Sequence, residues 1–542
     1  MIAQSKKTGL RENFLRPLKI LRYLKRADVL IGIEFLLLLV LYAIFMFSDK
    51  VPLAGLAALA LLWLVRWWVT GRLGVATPLD APILGILALI PVSLYASADW
   101  SLSLPKVYGI LLGVAIFYAV VNAFDTLSRL QFAPFILILL SLVVTAIGMV
   151  GTDWFNDKII SLPQVYGFLP RLIRGVPRSV TGGIHPNIFG GALTFLVPLL
   201  ASLLWEDGAF KRIRFADHPR FPAILRAGYF FILFFSFVIV TFALLLTQSR
   251  GSMLGVAVGL FALALWHDRR FLWVIPLAAL GFFGAVQVLG AGSLSEFISR
   301  IDVAGGSTLP GRLEIWQRAI YMIRDFPFTG IGIGTFDPVA HALYPFILFA
   351  NATIPHAHNM LLEVAVDLGI PGLVFYAALL SGFAFSAWKA SQVYRGSLHA
   401  LIVGLACGML AHQVFGIMDA YMLGTKLGVV MWVFMGLVAA LYLRRDQYTM
   451  QLFGYSTGAT ANGNSGLDSA GRDGQVTSSK LSDRLGRVLR VYAGWAIFSL
   501  LAIAFIGEQP ILGLGIALIG GGILGYICVA LFESKTASER MG

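Results

Sequence analysis

Apolar residues in this chain gather into long uninterrupted runs, not into the alternating or every-third-and-fourth stripes of a soluble core. Fourteen such runs stand at about 29–47, 51–70, 80–98, 106–124, 131–150, 187–205, 227–247, 252–267, 271–290, 359–388, 398–418, 426–443, 490–507 and 511–532. At 1.5 Å of rise per residue, roughly 20 residues carry a helix across about 30 Å of hydrocarbon, so each run predicts a spanning helix. No segment alternates in polarity as a membrane-barrel strand would, and a backbone in lipid must then satisfy itself within helices. The fold class is an all-α polytopic membrane protein of about twelve core helices followed by a C-terminal two-helix hairpin.

Composition agrees: 58% of the 542 residues are hydrophobic and 13% charged, which excludes a water-soluble domain. The first 26 residues carry eight basic side chains. The run that follows is too long for a signal-peptide core and lacks a small-residue cleavage site, so it is read as an uncleaved first helix with a cytoplasmic amino terminus. Counted from there, most of the 41 lysines and arginines fall on the inner side, among them Lys211, Arg212, Arg269, Arg270, Arg444 and Arg445. The exceptions are clustered arginines on the outer side: Arg171, Arg174 and Arg178, then Arg250, then Arg300, Arg312, Arg318 and Arg324. Snorkelling at a helix end explains any one of them as well as function does, and the group less well.

Two outer segments, about 151–186 and 291–358, are too long for turns and are expected to carry partial helices or a binding surface. In the second, Leu313, Trp316, Ile320 and Ile323 recur at helical spacing, with Arg312, Glu314, Arg318 and Arg324 between them. That pattern predicts an amphipathic helix at the membrane face. The chain divides into a basic terminus (1–28), a polytopic core (29–445), a linker (446–489), a hairpin (490–532) and a short cytoplasmic tail (533–542). The linker is rich in Gly, Ser, Thr, Asn and Asp and is expected to be flexible. The second hairpin helix carries Gly513, Gly515, Gly520, Gly521, Gly522 and Gly525, which permits close packing. Cys407 and Cys528 lie in apolar runs and form neither a disulfide framework nor a metal spacing.

For chemistry, the outer side offers arginines and the pair in His356-Ala357-His358-Asn359. A guanidinium fork binds phosphate oxygens bidentately, and an imidazole accepts a proton at neutral pH. Two histidines without a neighbouring acidic or cysteine cluster make a poor metal site, so no metal is expected. His358 precedes an apolar helix containing Glu363 and Asp367, and capping of that helix is its bland reading. Gly330, Gly332 and Gly334 follow no strand and precede no Lys-Ser/Thr, so they predict a tight turn and not a phosphate loop. Gln248 to Ser252 is either a turn with a snorkelling Arg250 or an anion site at a helix start. Gly182 to Asn187 is either a turn with a cap or a substrate-facing loop.

Taken in order, these elements resemble the bacterial O-antigen ligase and polymerase superfamily. The series runs from Gly182 through Pro186-Asn187 to Ser249-Arg250-Gly251. It continues with Gly311-Arg312, Trp316, Pro327, Gly330, Gly332, Gly334 and Phe336, and closes with His358-Asn359 and Gly369-Ile370-Pro371-Gly372. The resemblance covers about residues 180–380 and departs from the family pattern at Asp367, where a glutamate is usual. It implies a C-type glycosyltransferase that takes a glycan from undecaprenyl diphosphate on the extracytoplasmic face of the bacterial cytoplasmic membrane. No cofactor, nucleotide sugar or nucleic acid is implied; the partners are the polyprenyl-diphosphate-linked donor, a lipid, glycan or protein acceptor, and membrane lipids. Carried over by position, Arg250 and Arg312 match the diphosphate-binding arginines and His358 the essential histidine. Arg178, His185, Asn187, Arg318, His356 and Asn359 are the expected substrate-binding set around them. Ligation is the first reading, with a polymerase or a protein O-oligosaccharyltransferase of the same superfamily beside it. The rival from another class is a transporter or flippase, whose usual repeat symmetry and ionisable residues on broken helices are not evident in the sequence.

Overall fold

The computed structural model describes residues 27–47, 53–70, 74–152, 154, 184–208, 223–288, 309–348, 350–420, 423–452 and 473–541. They form α1 (Ala27–Phe47), α2 (Leu53–Thr70), α3 (Asp80–Ala96), α4 (Trp100–Ala123), α5 (Leu127–Leu130), α6 (Ala133–Gly151), α7 (Pro186–Gly208), α8 (Ala223–Thr247) and α9 (Arg250–His267). The series continues with α10 (Val274–Val288), α11 (Leu309–Asp325), α12 (Phe336–Leu343), α13 (Met360–Ser391), α14 (Ser397–Met418), α15 (Val429–Leu452), α16 (Asp473–Ile506) and α17 (Pro510–Met541). Every apolar run in the sequence falls on a helix. Among the described residues, ten helices are long and apolar enough to cross a membrane, and Val29–Phe45, Ala54–Val69 and Asp80–Ala96 are shorter apolar helices. The protein is an all-α, multi-pass membrane protein.

Two groups of helices meet along α14. On one side α7, α9 and α14 pack together; on the other, α13 lies among α3, α14, α15, α16 and α17. The hairpin uses the glycine face that its sequence displays. A Cβ on Gly521 would stand 2.5 Å from both the Ala377 Cβ and the Val374 carbonyl oxygen, so α17 and α13 touch backbone to backbone. Trp495 of α16 stacks on Phe375 at 4.9 Å and donates its indole N–H to the Pro371 carbonyl at 3.2 Å.

Helix α13 is broken. Gly369 has φ +71°, and Pro371 cannot donate an N–H, so the ladder opens over about one turn. The freed groups are taken up by the segment after α11: Ile331 N donates to Val366 O at 2.9 Å, and Ile370 N to Pro327 O at 2.8 Å. A broken helix with buried acids is thus present although the sequence did not show one, so this feature no longer counts against a transporter.

Two further expectations change. Helix α11 is amphipathic as predicted, with Ile323 buried and Trp316 and Ile320 partly buried against the core, but the stripe also takes in Ile315, Ala319 and Met322 while Leu313 is exposed. Packing against α13 selects that face, because the same stretch offers apolar spacing in two phases. The linker is also shorter than its composition suggests: α15 runs on to Leu452, with Tyr448 against Tyr394 at 4.5 Å, and α16 begins at Asp473. The intervening 453–472 lies outside the described residues.

Candidate functional site

The start of α13 is built by Asn359. Its side-chain oxygen accepts from Leu361 N at 3.0 Å and Leu362 N at 3.1 Å, satisfying first-turn donors, and its amide donates to Ile417 O at 3.1 Å. The capping residue is therefore Asn359, not His358, and it ties the start of α13 to the end of α14. His358 stands just before it at φ +48°, a left-handed conformation that a non-glycine residue adopts at a cost of about 1 kcal/mol. In that position its Nδ1 lies 3.2 Å from Asp419 Oδ1, immediately past α14.

Burial acts to raise the Asp419 pKa, but hydrogen bonds from His358 and from the Ala420 backbone N–H hold the carboxyl below the usual carboxylate range. An ionised carboxylate only accepts, so His358 donates from Nδ1–H, and the neutral form of the ring held this way carries its lone pair on Nε2. His356 has the opposite tautomer. Its Nδ1 accepts the His358 backbone N–H at 3.2 Å, which leaves the proton on Nε2, 3.8 Å from Asp419 Oδ1. Burial pushes the His356 pKa down to about 3 against the opposing pull of Asp419, so the ring is neutral at pH 7.

Ligand atoms of His356, His358 and Asp419 all lie within 4.8 Å of one another, a set that could hold a metal ion. The sequence argument against a metal assumed no acid nearby; the fold brings Asp419 to the histidines from 61 residues away. The hydrogen bonds nevertheless fit a metal poorly. Ligation through His356 Nε2 would move its proton to Nδ1, where the His358 N–H is donated, and ligation through His358 Nδ1 would break the bond to Asp419.

Two predicted arginine segments converge on the same corner. Arg312, in the first turn of α11, places Nη1 3.3 Å from Sδ of Met418, the residue preceding Asp419. Gly251, beside Arg250, backs onto Met418 from the other side: a Cβ there would stand 3.3 Å from the Met418 Cβ. Arg250 is itself exposed and opens α9, whose cap is Ser249, with Ser249 Oγ accepting from Ser252 N at 3.4 Å. The start of α9, a positive helix end, and the Arg312 guanidinium thus both lie against Met418.

The remaining predicted residues separate. His185 is exposed and caps α7 by accepting from Asn187 N at 3.1 Å, and it lies close enough to His356 to influence its charge. Asn187 sits in that first turn. Arg318 belongs to the packing of α11: Nη2 is 3.4 Å from Glu314 Oε1, and Glu314 also accepts from Ile347 N at 2.6 Å and Leu348 N at 2.9 Å. Arg178, with Arg171, Arg174 and Arg300, lies outside the described residues. The three turn glycines have φ of +66°, +99° and +79°, as a tight turn requires.

Sequence reasoning missed Asp419, Lys106 and Ser93. Asp419 carried a faint signal as one of few acids beside the end of an apolar run. Ser93 and Lys106 read as ordinary members of apolar runs.

Residues 235–377 match the O-antigen ligase family. The exopolysaccharide production protein ExoQ of Rhizobium meliloti (strain 1021) is 27% identical over 164 residues, which is 28% of this chain and 37% of that protein. The match therefore spans well under two thirds of that relative. The family match holds Arg250, Arg312, His356, His358 and Asn359, while Asp419 lies beyond it. Motif order and match agree: residues 235–377, which carry the arginines and histidines of this corner, are similar to the O-antigen ligase family.

Proposed function

We propose that the protein is a metal-independent glycosyltransferase of surface-polysaccharide assembly. It moves a glycan from a polyprenyl diphosphate carrier to an acceptor hydroxyl at the end of the bundle where α13 begins. The observation that carries the reading is the His358–Asp419 pair, with its lone pair left on His358 Nε2, beside the arginine-bearing starts of α9 and α11. His358 takes the acceptor proton, the freed oxygen attacks the anomeric carbon, and the bond from that carbon to the diphosphate oxygen breaks. Arg250, Arg312 and the α9 terminus stabilise the departing polyprenyl diphosphate. Preorganised cations at a leaving group contribute on the order of 3 kcal/mol each, and proton removal about 10² to 10⁴ in rate. The distribution of lysine and arginine supports an extracytoplasmic site in a bacterial cytoplasmic membrane.

Transfer to lipid A core, as a ligase would perform, is one form of this reaction. The similarity to an exopolysaccharide production protein favours a second, in which the acceptor is another repeat unit and the product a longer polymer. Purified protein incubated with a polyprenyl-diphosphate glycan and a panel of acceptors tests both. Release of polyprenyl diphosphate with a glycosylated acceptor is expected, unaffected by chelators. Movement of the lipid across vesicles without bond cleavage would establish the transporter reading instead.

A further inference from the structure

Glu363 and Asp367 stand one turn apart on α13, 1% and 3% exposed, and neither has a part in the chemistry above. Each accepts a backbone N–H from a different loop. Glu363 Oε2 takes Ala357 N at 2.7 Å, and Ala357 is the residue between the two histidines. Asp367 Oδ1 takes Gly334 N at 2.9 Å, at the end of the glycine turn that leads into α12. Ser93 of α3 joins the second contact by donating to Asp367 O at 2.7 Å while accepting from Ile333 N at 2.8 Å. Lys106 Nζ, 3.8 Å from Glu363 Oε1, supplies the countercharge. The cavity between the two carboxylates holds ≈ 20 Å³, room for about one water and no sugar, so they act through the loops they hold.

We propose that Glu363 and Asp367 are the positioning residues of this site. Glu363 sets the His356–His358 segment so that His358 Nδ1 reaches Asp419, and Asp367 seats the glycine turn and the α11–α12 cap on the broken helix. The inference rests on the reading of His358 as the proton acceptor.

Two conservative variants of full-length protein separate this role from a purely electrostatic one. Glu363→Gln keeps an acceptor oxygen within reach of the Ala357 N–H and cannot ionise; Glu363→Asp stays ionisable and withdraws the oxygen by one methylene. Positioning predicts that Glu363→Asp lowers kcat by about 10² while Glu363→Gln stays within roughly fivefold, with KM for the donor little changed in either. Carbethoxylation of His356 by diethylpyrocarbonate, read by mass spectrometry, should accelerate in Glu363→Asp and not in Glu363→Gln. The reverse order of the two variants, or equal kcat and equal labelling in both, overturns the proposal. His358→Ala in the same assay tells the two failures apart. Retained turnover there removes the underlying reading, whereas lost turnover with silent Glu363 variants removes only this inference.

Discussion

Glu34 on α1 and Glu363 on α13 are both buried carboxylates on apolar helices, yet their partners differ in kind. Glu34 is closed off by side chains: Arg66 Nη2 and Nη1 both reach it, the latter at 3.3 Å, and Trp63 donates its indole N–H at 2.9 Å. Every member sits on α1 or α2, so the bonds specify how two helices pair. Glu363 instead spends an oxygen on a loop amide and holds its cation at a longer reach. A carboxylate bound to side chains orders helices, whereas one bound to a loop's backbone orders whatever that loop carries, here the two histidines.

The comparison is broken most severely at the site end by Asp419→Asn. The amide can donate as well as accept, so it no longer forces the proton onto His358 Nδ1. Turnover is expected to fall roughly 10² to 10⁴, with donor binding retained, measured by steady-state kinetics beside equilibrium donor binding. Glu34→Ala should do the reverse, because it removes the carboxylate that the buried Arg66 and Trp63 share. It is expected to cost about 3–5 kcal/mol of stability, leave turnover per folded molecule unchanged, and be largely relieved by Arg66→Met in the same chain. Denaturation in detergent together with specific activity reads both parts.

Smaller effects sharpen the contrast. Arg312→Lys keeps the charge but loses the fork, and about a tenfold loss in kcat/KM for the donor is expected at unchanged stability. The smallest effect is on pH dependence. His356 has a folded pKa of about 3, below the unfolded value near 6.5. Its contribution is complete above pH 6.5 and is lost as pH falls toward 3, where the unfolded chain takes up a proton that the folded one does not. His356→Asn should flatten the acid side of the stability profile by on the order of 1–2 kcal/mol, followed as unfolding midpoints from pH 7 to pH 4. An unchanged profile would show that this ring does not drive the acid response.

The spanning helices were legible because lipid leaves a run of apolar residues few other structures. Arg312 and His358 stood out in the sequence by residue type, a phosphate-binding fork and a proton acceptor, and the fold brings them to neighbouring residues, Met418 and Asp419. Asp419 was not, since only the return of α14 to the start of α13 puts it beside His358. One position of the α11 stripe, Leu313, was misread for a similar reason: Leu313 and Ile315 are equally apolar, and contact with α13 decides between them. Glu363 reads in sequence as an interruption of an apolar helix, and its use appears only once Ala357 N is seen within 2.7 Å.

The most direct test of the account is pre-steady-state transfer by His358→Ala beside His356→Ala, in folded protein with donor and acceptor at saturation. The account predicts that His358→Ala binds donor like the parent and transfers roughly 10² to 10⁴ more slowly, while His356→Ala is affected far less. Near-normal transfer by His358→Ala, or loss of the parent's activity on chelation of divalent ions, would contradict it.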